Sequence, residues 1–319
     1  MSFIEFQNIS KSYGDCHSCR DITLSIEKGT VHGIIGENGA GKSTLMKLLG
    51  GLTTASSGQM YLENKTYQPR SARDAFKNKI AFIHQHFVLA ENLTALDNLV
   101  LSSCADWSFF KKQPRKKILA AAKDLLQQFN WSIPLEKKVL SLSVGEQQRL
   151  EILKSLLLSP DIFIFDEPTA VLTPQESNDL LDFILQLKKQ NKTIILISHK
   201  LNEIKKVCDS VSILRNGSLI ASSKADLLSV DQLAEMMIGR RPQLIENKKN
   251  ASEKEIQFKL ESPALEIFKN EILGVAGVEG NGQNELIEKV LQQLRIKKIS
   301  YGDITEDRLK LSVFNHFTL

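Results

Sequence analysis

Residues 36–44 read Gly-Glu-Asn-Gly-Ala-Gly-Lys-Ser-Thr, which fits the pattern of a phosphate-binding loop. The apolar run 31–35 predicts a short buried strand before the loop, and residues 45–49 continue an apolar helix pattern after it. Glycines let consecutive N–H groups converge on one anion, and a helix N-terminus adds its positive dipole end. Lys42 adds a positive charge and Ser43 a hydroxyl for Mg²⁺. The stretch predicts nucleoside triphosphate binding, against the alternative of a glycine-rich turn that matches by chance.

The composition is that of an ordinary soluble globular protein, with 42% hydrophobic and 24% charged residues among 319. The net charge of +4 is mild, so basic runs such as residues 115–117 are interpreted as solvated helix faces, and no nucleic-acid partner is expected. Residues 1–6 lack the features of a signal peptide, and no apolar run reaches the roughly 18 residues of a spanning helix. We therefore expect a cytoplasmic protein whose membrane contact is made through a partner.

The cysteines give little functional signal. Four are too few for a disulfide scaffold, and the C-x-x-C pair Cys16 and Cys19 has no second pair at zinc spacing. We interpret these two residues as reduced thiols in a loop, with a metal or redox role as the weaker alternative.

The order of strand-like and helix-like segments indicates an α/β architecture over residues 1–240. Residues 161–166 and 193–198 are short and apolar throughout, as strands buried on both faces of a parallel sheet are. Residues 88–158 show helical periodicity and are predicted to form a helical insertion. A polar linker is predicted at residues 241–254.

A second glycine-rich segment late in the chain repeats the pattern of the phosphate loop without its chemistry. Gln283 stands where Lys42 does, and Asn284 stands where Ser43 does. We therefore expect residues 255–319 to bind no nucleotide.

Polar residues follow two of the predicted strands, at the edge where the phosphate loop is also expected. Asp166 would hold Mg²⁺ opposite Ser43, and Glu167 would orient or deprotonate an attacking water. His199 would donate a hydrogen bond to a γ-phosphate. The alternatives are a solvated carboxylate pair and a structural histidine at a strand end.

A further motif, Leu-Ser-Val-Gly-Glu-Gln-Gln-Arg at residues 142–149, precedes a predicted helix. Ser143 and Gly145 are predicted to form its N-cap with exposed N–H groups, which would make a second anion-binding helix start. A plain helix cap remains the alternative.

Together, the phosphate loop, Gln85, residues 142–149, the Phe-Asp-Glu-Pro-Thr run 165–169 and the Ile-Ser-His run 197–199 resemble the ATP-binding-cassette ATPases. The resemblance covers residues 1–240. It implies an α/β P-loop NTPase cassette of RecA-like fold with an antiparallel β subdomain, a helical insertion at about 88–158 and a short α/β C-terminal remnant. It also implies Mg²⁺-dependent, transport-coupled ATPase activity.

The resemblance implies that ATP lies between two cassettes arranged head to tail. It implies ATP contacts from Tyr13, Gly36, Glu37, Asn38, Gly39, Ala40, Gly41, Lys42, Ser43 and Thr44. Signature residues acting on the partner's ATP would be Ser143, Val144, Gly145, Glu146 and Gln147. Catalytic roles fall to Glu167, His199 and Gln85, and Mg²⁺ ligation to Ser43, Gln85 and Asp166. Tyr13 would stack on adenine, although an aromatic residue in a first hairpin often only packs.

A narrower resemblance is to importers of simple sugars and nucleosides, carried by residues 83–87, 167–174 and 237–240. The His-Gln-His-Phe run within the first of these favours nucleosides over ribose-type sugars. The implied partners are membrane permease subunits, a second cassette in a homodimer or heterodimer, and indirectly an extracytoplasmic substrate-binding protein. The chain would then be peripheral, at the cytoplasmic face of the membrane. Thr173 stands where many cassettes carry an aspartate that contacts the partner subunit, which leaves that coupling open.

The chain departs from this group in its second half, because members usually carry two complete cassettes. Residues 255–319 resemble a truncated, degenerate second cassette, and residues 304–308 resemble one of its later motifs. A docked remnant, an interaction tail and a decayed segment all remain open.

The leading hypothesis is an ATP-hydrolysing importer subunit that couples hydrolysis to uptake of a nucleoside or simple sugar through a permease. The alternative is an ATP-binding regulatory or decayed cassette that does not drive transport. A soluble cassette acting on ribosomes or DNA is less favoured, because the sequence has neither two full cassettes nor long coiled coils. The sequence also lacks the Asn-Lys-x-Asp run of GTPases.

Overall fold

The computed structural model describes residues 2–85, 87–103, 115–239, 256–261, 264–269, 272–276 and 282–299. The chain divides into two units, Met1–Leu244 and Ile245–Leu319. The predicted linker at 241–254, the motif at 304–308, and residues His86 and Arg240 of the importer-like runs lie outside the described residues.

The first unit contains both strands and helices. Its strands are β1 Ser2–Tyr13, β2 Cys16–Glu27, β3 Val31–Ile35, β4 Ser57–Leu62, β5 Lys65–Thr66, β6 Ile80–Ile83, β7 Ile162–Asp166, β8 Thr193–Ile197, β9 Ser210–Arg215 and β10 Ser218–Lys224. Its helices are α1 Lys42–Leu49, α2 Ala72–Lys77, α3 Ala95–Ser103, α4 Arg115–Gln128, α5 Val144–Leu156, α6 Pro174–Lys189, α7 Leu201–Val207 and α8 Val230–Ile238.

The central sheet has the strand order β10-β9-β3-β8-β7-β6. Its pairs are parallel from β9 to β6, and β10 closes one edge antiparallel to β9. Every residue of β3, β7 and β8 is buried, which explains why these strands are apolar throughout. The strands predicted at 161–166 and 193–198 are therefore confirmed. Because β3, β8 and β7 are parallel neighbours, the loops after them meet at one edge of the sheet.

A smaller antiparallel sheet, ordered β2-β1-β4-β5, lies beside the phosphate loop. Alternate residues of β2, namely Ile22, Leu24 and Ile26, face the core, as expected for a sheet with one solvated face. They share a core cluster with Leu45 of α1 and Ile34 of β3.

Residues between β6 and β7 form the helices α3, α4 and α5, with a short 3-10 helix at Val139–Ser141. Apolar side chains of the three helices pack into a separate core cluster, including Leu96, Leu99, Ile118, Leu126, Leu150 and Leu153. This cluster explains the helical periodicity of this part of the chain, because each helix turns one apolar face inward.

The second unit contains an antiparallel hairpin, β11 Ile256–Glu261 with β12 Ala264–Phe268, and the helix α9 Gln283–Ile296. Phe258 and Leu260 of the hairpin are buried. Ile272 and Ile296, in contrast, are strongly exposed.

Cys16 and Cys19 lie on β2, so the expectation that they occupy a loop is wrong. The reason is the length of the first hairpin, whose pairing continues to Tyr13 and Cys16 across the two-residue turn Gly14–Asp15. Both cysteines are free thiols, and the residues that the structure describes contain no cluster of three or more metal-binding side chains. Within the described ranges, no helix is both long and apolar enough to cross a membrane.

Candidate functional site

The phosphate loop connects β3 to α1 and surrounds the Lys42 side chain. Lys42 is buried, and its Nζ donates to the carbonyl oxygens of Gly36 at 2.9 Å and Glu37 at 3.0 Å. Burial lowers the pKa of Lys42, while the carboxylates of Glu167 and Asp166 act in the opposite direction. The loop therefore curls around one ammonium group that faces two carboxylates.

Two glycines of the loop are required by close backbone packing. At Gly41, φ is 98°, and a Cβ would lie 2.2 Å from the carbonyl oxygen of Ser18 in β2. At Gly36, a Cβ would lie 2.3 Å from the carbonyl oxygen of Leu214 in β9. Any side chain at either position would displace a strand from the loop. The tip of the loop, Glu37 to Gly39, is exposed, whereas Ala40 is buried and Thr44 is partly buried.

Ser43 and Asp166 meet beneath the loop. Ser43 Oγ donates a hydrogen bond of 3.0 Å to Asp166 Oδ1. Asp166 is buried at the end of β7, and burial raises its pKa, an effect that the Ser43 hydrogen bond opposes. A hydroxyl and a carboxylate are hard oxygen donors of the kind that Mg²⁺ binds, so this pair fits the predicted metal site. Gln85, the third predicted ligand, follows β6 and is exposed. Among the described residues, no hydrogen bond joins Gln85 to Ser43 or to Asp166.

Glu167 and His199 follow the adjacent strands β7 and β8. His199 Nδ1 lies 3.4 Å from Glu167 Oε2; the histidine side chain is half exposed, whereas that of Glu167 is 13% exposed. The backbone of Glu167 is left-handed, with φ of 48°, and its N–H donates to the carbonyl of Ile197 at 3.1 Å. A left-handed residue with a side chain is strained by roughly 1–2 kcal/mol, and such strain is found at functional sites.

The predicted cap at Ser143 is present at the start of α5. Glu146 N–H donates to Ser143 Oγ at 3.2 Å, and Ser143 N–H donates to Glu146 Oε2 at 2.8 Å. Ser143 is exposed although its N–H is already bonded to Glu146, whereas Gly145 is buried, so free N–H groups are not found at both positions as expected. A Cβ at Gly145 would lie 2.1 Å from Oε1 of Glu176, because the start of α6 packs on it.

The side chain of Gln147 ties the start of α5 to the residues before it. Gln147 Nε2 donates to the carbonyl of Leu142 at 3.1 Å, and Val144 is partly exposed. Within the described part of this chain, no hydrogen bond or ion pair joins residues 143–147 to the phosphate loop. The structure thus brings together the predicted residues at and just beyond the ends of β3, β7 and β8. Among the described residues, those at 143–147 make no hydrogen bond or ion pair to this group.

Tyr13 lies at the tip of the first hairpin, with 49% of its surface exposed. Lys11 Nζ is 4.9 Å from the centre of its ring. The same hairpin contacts the phosphate loop farther along β2, where Cys19 Sγ lies 3.8 Å from the carbonyl oxygen of Gly41. The ring is therefore an open aromatic surface on an element that contacts the loop.

Thr173 has a local structural role. It caps the N-terminus of α6, because its Oγ1 accepts from the N–H of Glu176 at 3.3 Å and donates to Glu176 Oε2 at 2.8 Å. A threonine followed three residues later by glutamate is the sequence signal of this cap.

Sequence analysis missed two buried carboxylates beside the predicted residues. Glu151 of α5 pairs with Lys154 at 2.9 Å, and Lys154 Nζ also donates to the carbonyl of Val88 at 2.6 Å. Glu203 of α7 accepts hydrogen bonds from Thr169 and Ser198. Each resembles an ordinary helix-surface glutamate in the sequence; the only signal for Glu203 was its place in the first turn after His199.

Comparison with known proteins identifies the family. A family model described as ABC transporter matches residues 19–170. The nucleoside import ATP-binding protein NupA of Lactococcus lactis subsp. cremoris is 35% identical, over 96% of this chain and 63% of its own. The ribose import ATP-binding protein RbsA of the same subspecies is 39% identical, over 98% and 64%. A putative carbohydrate transport ATP-binding protein of Mycoplasma pneumoniae is 34% identical, over 98% and 70%. The chain therefore spans about two thirds of the lengths of these relatives.

Solved structures agree with this assignment. The ADP conformation of MJ1267, an ATP-binding cassette of an ABC transporter, has a TM-score of 0.64 at 27% identity, covering 74% of this chain and 94% of that one. A nucleotide-free ATP-binding cassette from an ABC transporter has a TM-score of 0.65 at 25% identity, covering 77% and 98%. These likenesses confirm the predicted α/β cassette fold. The chain belongs to the ABC transporter family of ATP-binding proteins and carries a nucleotide-binding cassette of that type.

Proposed function

We propose that the chain is the Mg²⁺-dependent, ATP-hydrolysing subunit of an ABC importer. The observation that carries the proposal is the meeting of three loops at the carboxyl ends of neighbouring parallel strands. They bring together the buried ammonium of Lys42, the Ser43–Asp166 hydrogen bond and the Glu167–His199 pair. This is the set of groups that phosphoryl transfer to water requires.

The loop residues would hold the triphosphate. Backbone N–H groups of residues 36–44 and the N-terminus of α1 would face the phosphates, with Lys42 neutralising charge between them. Tyr13 would stack on the adenine. Ser43 and Asp166, with Gln85 as the third ligand, would hold Mg²⁺, which when bound supplies neutralisation of the charge on the phosphate oxygens.

Hydrolysis would depend on the two residues after β7 and β8. Glu167 would orient or deprotonate the attacking water, a contribution of roughly 10²–10⁴-fold in rate. His199 would donate to the γ-phosphate while its Nδ1 faces Glu167, so both groups would act on the same reacting centre.

A second cassette would complete the site, with residues 143–147 acting on the ATP of the opposite chain. The proposal is supported by the position of this segment, which has no hydrogen bond to the phosphate loop in the described part of its own chain. Ser143 is exposed at a helix N-terminus, where anions bind. The second cassette would come from a homodimer or from a different partner chain.

A permease would dock beside Gln85. A groove there is lined by residues that include the exposed side chains of Leu52 and Val88, together with Phe82, His84 and Lys154. Movement of a docked permease would reach the metal site through Gln85. The chain would then lie at the cytoplasmic face of the membrane as a peripheral subunit, without a nucleic-acid partner.

The cargo would be a nucleoside or a simple sugar, delivered to the permease by an extracytoplasmic binding protein. The names of the similar proteins support this proposal: they are a nucleoside import protein, a ribose import protein and a putative carbohydrate transport protein. The His-Gln-His-Phe run of residues 84–87 favours the nucleoside.

The test is the Glu167→Gln variant, studied by ATP turnover and by light scattering with and without ATP. We expect ATP binding to persist, turnover to fall about 10²-fold or more, and the mass to shift from monomer to dimer with ATP. Asp182→Asn, on the exposed face of α6, is the control for loss of an acidic charge and should match the wild type. Unimpaired turnover in Glu167→Gln would remove this residue from its role. A wild type that binds ATP without hydrolysing it and stays monomeric would favour a regulatory or decayed cassette, or a chain that needs a different partner.

A further inference from the structure

Glu203 is a buried carboxylate in the first turn of α7. Only 8% of the residue is exposed. An ionised carboxylate is costly to bury unless it is paired and hydrogen-bonded. Its Oε2 accepts from Thr169 Oγ1 at 2.8 Å and from Ser198 Oγ at 3.1 Å, and Lys200 Nζ lies 3.5 Å from its Oε1.

The partners of Glu203 belong to two different loops. Thr169 is two residues after Glu167 in the loop that follows β7, and Ser198 immediately precedes His199 after β8. Lys200 strengthens the same link, because its Nζ donates to the carbonyl of Thr169 at 2.8 Å and its N–H donates to Ser198 Oγ at 3.0 Å. One buried carboxylate therefore joins the two loops that carry Glu167 and His199.

The pairing of β7 with β8 ends before Glu167 and His199 are reached. The sheet fixes the strand ends, since Asp166 pairs with Ile197 in the register of β7 and β8. Beyond that pair the strands have ended, and Glu167 has a left-handed backbone that the surroundings must hold in place. An alternative role for Glu203 is to stabilise the N-terminus of α7 through the helix dipole. An exposed acid would suffice for that role, so it does not explain why Glu203 is buried against two hydroxyl groups.

We propose that Glu203 is the positioning residue that holds Glu167 and His199 in the relative arrangement needed for hydrolysis. The inference rests on the proposed function and deepens it. Loss of the carboxylate would loosen the link between the two loops while leaving the phosphate loop around Lys42 unchanged. ATP binding and ATP turnover should therefore respond differently.

The test compares Glu203→Gln with wild type in the full chain, measuring ATP affinity, the number of sites per chain, kcat and KM. We expect kcat to fall roughly 10- to 100-fold, the effect of a small misplacement of reacting groups, with affinity and site number unchanged. Thr169→Val and Ser198→Ala each remove one donor to Glu203 and should give smaller losses of kcat. Asp231→Asn, an exposed acid in the first turn of α8, is the matched control and should leave every value unchanged.

A double variant separates positioning from general stability. If Glu203 acts through Glu167, adding Glu203→Gln to the Glu167→Gln protein should lower kcat little further, because both substitutions remove the same contribution of Glu167. Full additivity would overturn the inference, and so would a fall in site number that matches the fall in kcat. Normal kcat in Glu203→Gln with an active wild type would refute the inference and leave the proposed function standing. A wild type that neither binds nor hydrolyses ATP would refute both.

Discussion

The chain contains two glycine-rich segments that lead into a helix, and their backbones start alike. Gly41 precedes α1 with φ of 98°, and Gly282 precedes α9 with φ of 89°. Neither helix has a side-chain hydrogen bond at its N-cap. The left-handed glycine entry is therefore common to both segments.

The surroundings of the two glycines differ. A Cβ at Gly41 would lie 2.2 Å from a backbone oxygen, whereas among the described residues the nearest atom to a Cβ at Gly282 is Glu285 Oε2 at 3.8 Å. The strand β3 before the first segment is buried throughout. Residues 272–276 before the second do not form a strand, and Ile272 is 99% exposed.

This difference shows which part of a nucleotide site is local. A left-handed turn into a helix needs only glycine, so it persists in both segments. A phosphate site also needs a lysine held in a buried loop and carboxylates from neighbouring strands. Lys42 has these carboxylates in Asp166, at the end of β7, and in Glu167, just after it. Gln283 carries no charge to place in such a site.

The largest expected effect is on ATP affinity, and it compares the first residue of α1, Lys42, with the first residue of α9, Gln283. Lys42→Ala should abolish ATP binding, because it removes a buried ammonium between the phosphates, whereas Gln283→Ala should leave the affinity unchanged. Hydrogen bonds to charged groups contribute about 1.5–3 kcal/mol each, so the affinity of Lys42→Ala for ATP should fall by more than about 10²-fold. Equilibrium binding of ATP to both variants measures it. Equal weakening by the two substitutions would show that both segments bind nucleotide.

The glycines themselves give the next comparison. Gly282→Ala should cost about 1–2 kcal/mol through its left-handed backbone alone. Gly41→Ala should cost about 2–5 kcal/mol, because the new methyl group must also displace the Ser18 carbonyl. Hydrogen exchange of amides in α1 and α9 measures the two losses separately. A cost at Gly41 no larger than that at Gly282 would contradict the tight packing of the first loop.

The burial of β3 should also appear in the pH dependence of stability. His32 of β3 is buried between Ser210 Oγ at 2.7 Å and Ser212 Oγ at 2.9 Å, and burial lowers its pKa from 6.5 to about 4. The unfolded chain takes up this proton near pH 6.5, and the folded chain only near pH 4. Stability from this group is therefore complete above pH 6.5 and is lost as the pH falls toward 4, by at most about 3 kcal/mol.

Urea unfolding across this pH range measures that loss, with His32→Gln as the variant that cannot titrate. The wild type should lose stability on acidification by more than the variant does. Parallel slopes for the two proteins would mean that His32 titrates normally and that β3 is less buried than described.

The parts of the fold predicted from sequence are those with local signals. The strands β7 and β8 are uninterrupted apolar runs, and the phosphate loop has its own glycine and lysine spacing. The meeting of Ser43, Asp166, Glu167 and His199 could also be predicted, because parallel strands place their carboxyl ends together.

What sequence analysis missed depends on contacts between distant segments. The burial of Gly145 comes from Glu176 of another helix, and the role of Glu203 comes from Thr169 and Ser198 on two loops. Cys16 and Cys19 were misplaced because the length of a hairpin depends on its partner strand. Residue type and spacing carry no record of such contacts.

The central claim is that the first glycine-rich segment alone forms a nucleotide site. The most direct measurement is the number of ATP molecules bound per chain at saturation, determined by equilibrium binding to the Glu167→Gln protein. The account predicts one per chain, lost entirely when Lys42→Ala is added. Two per chain, or one that survives Lys42→Ala, would contradict it.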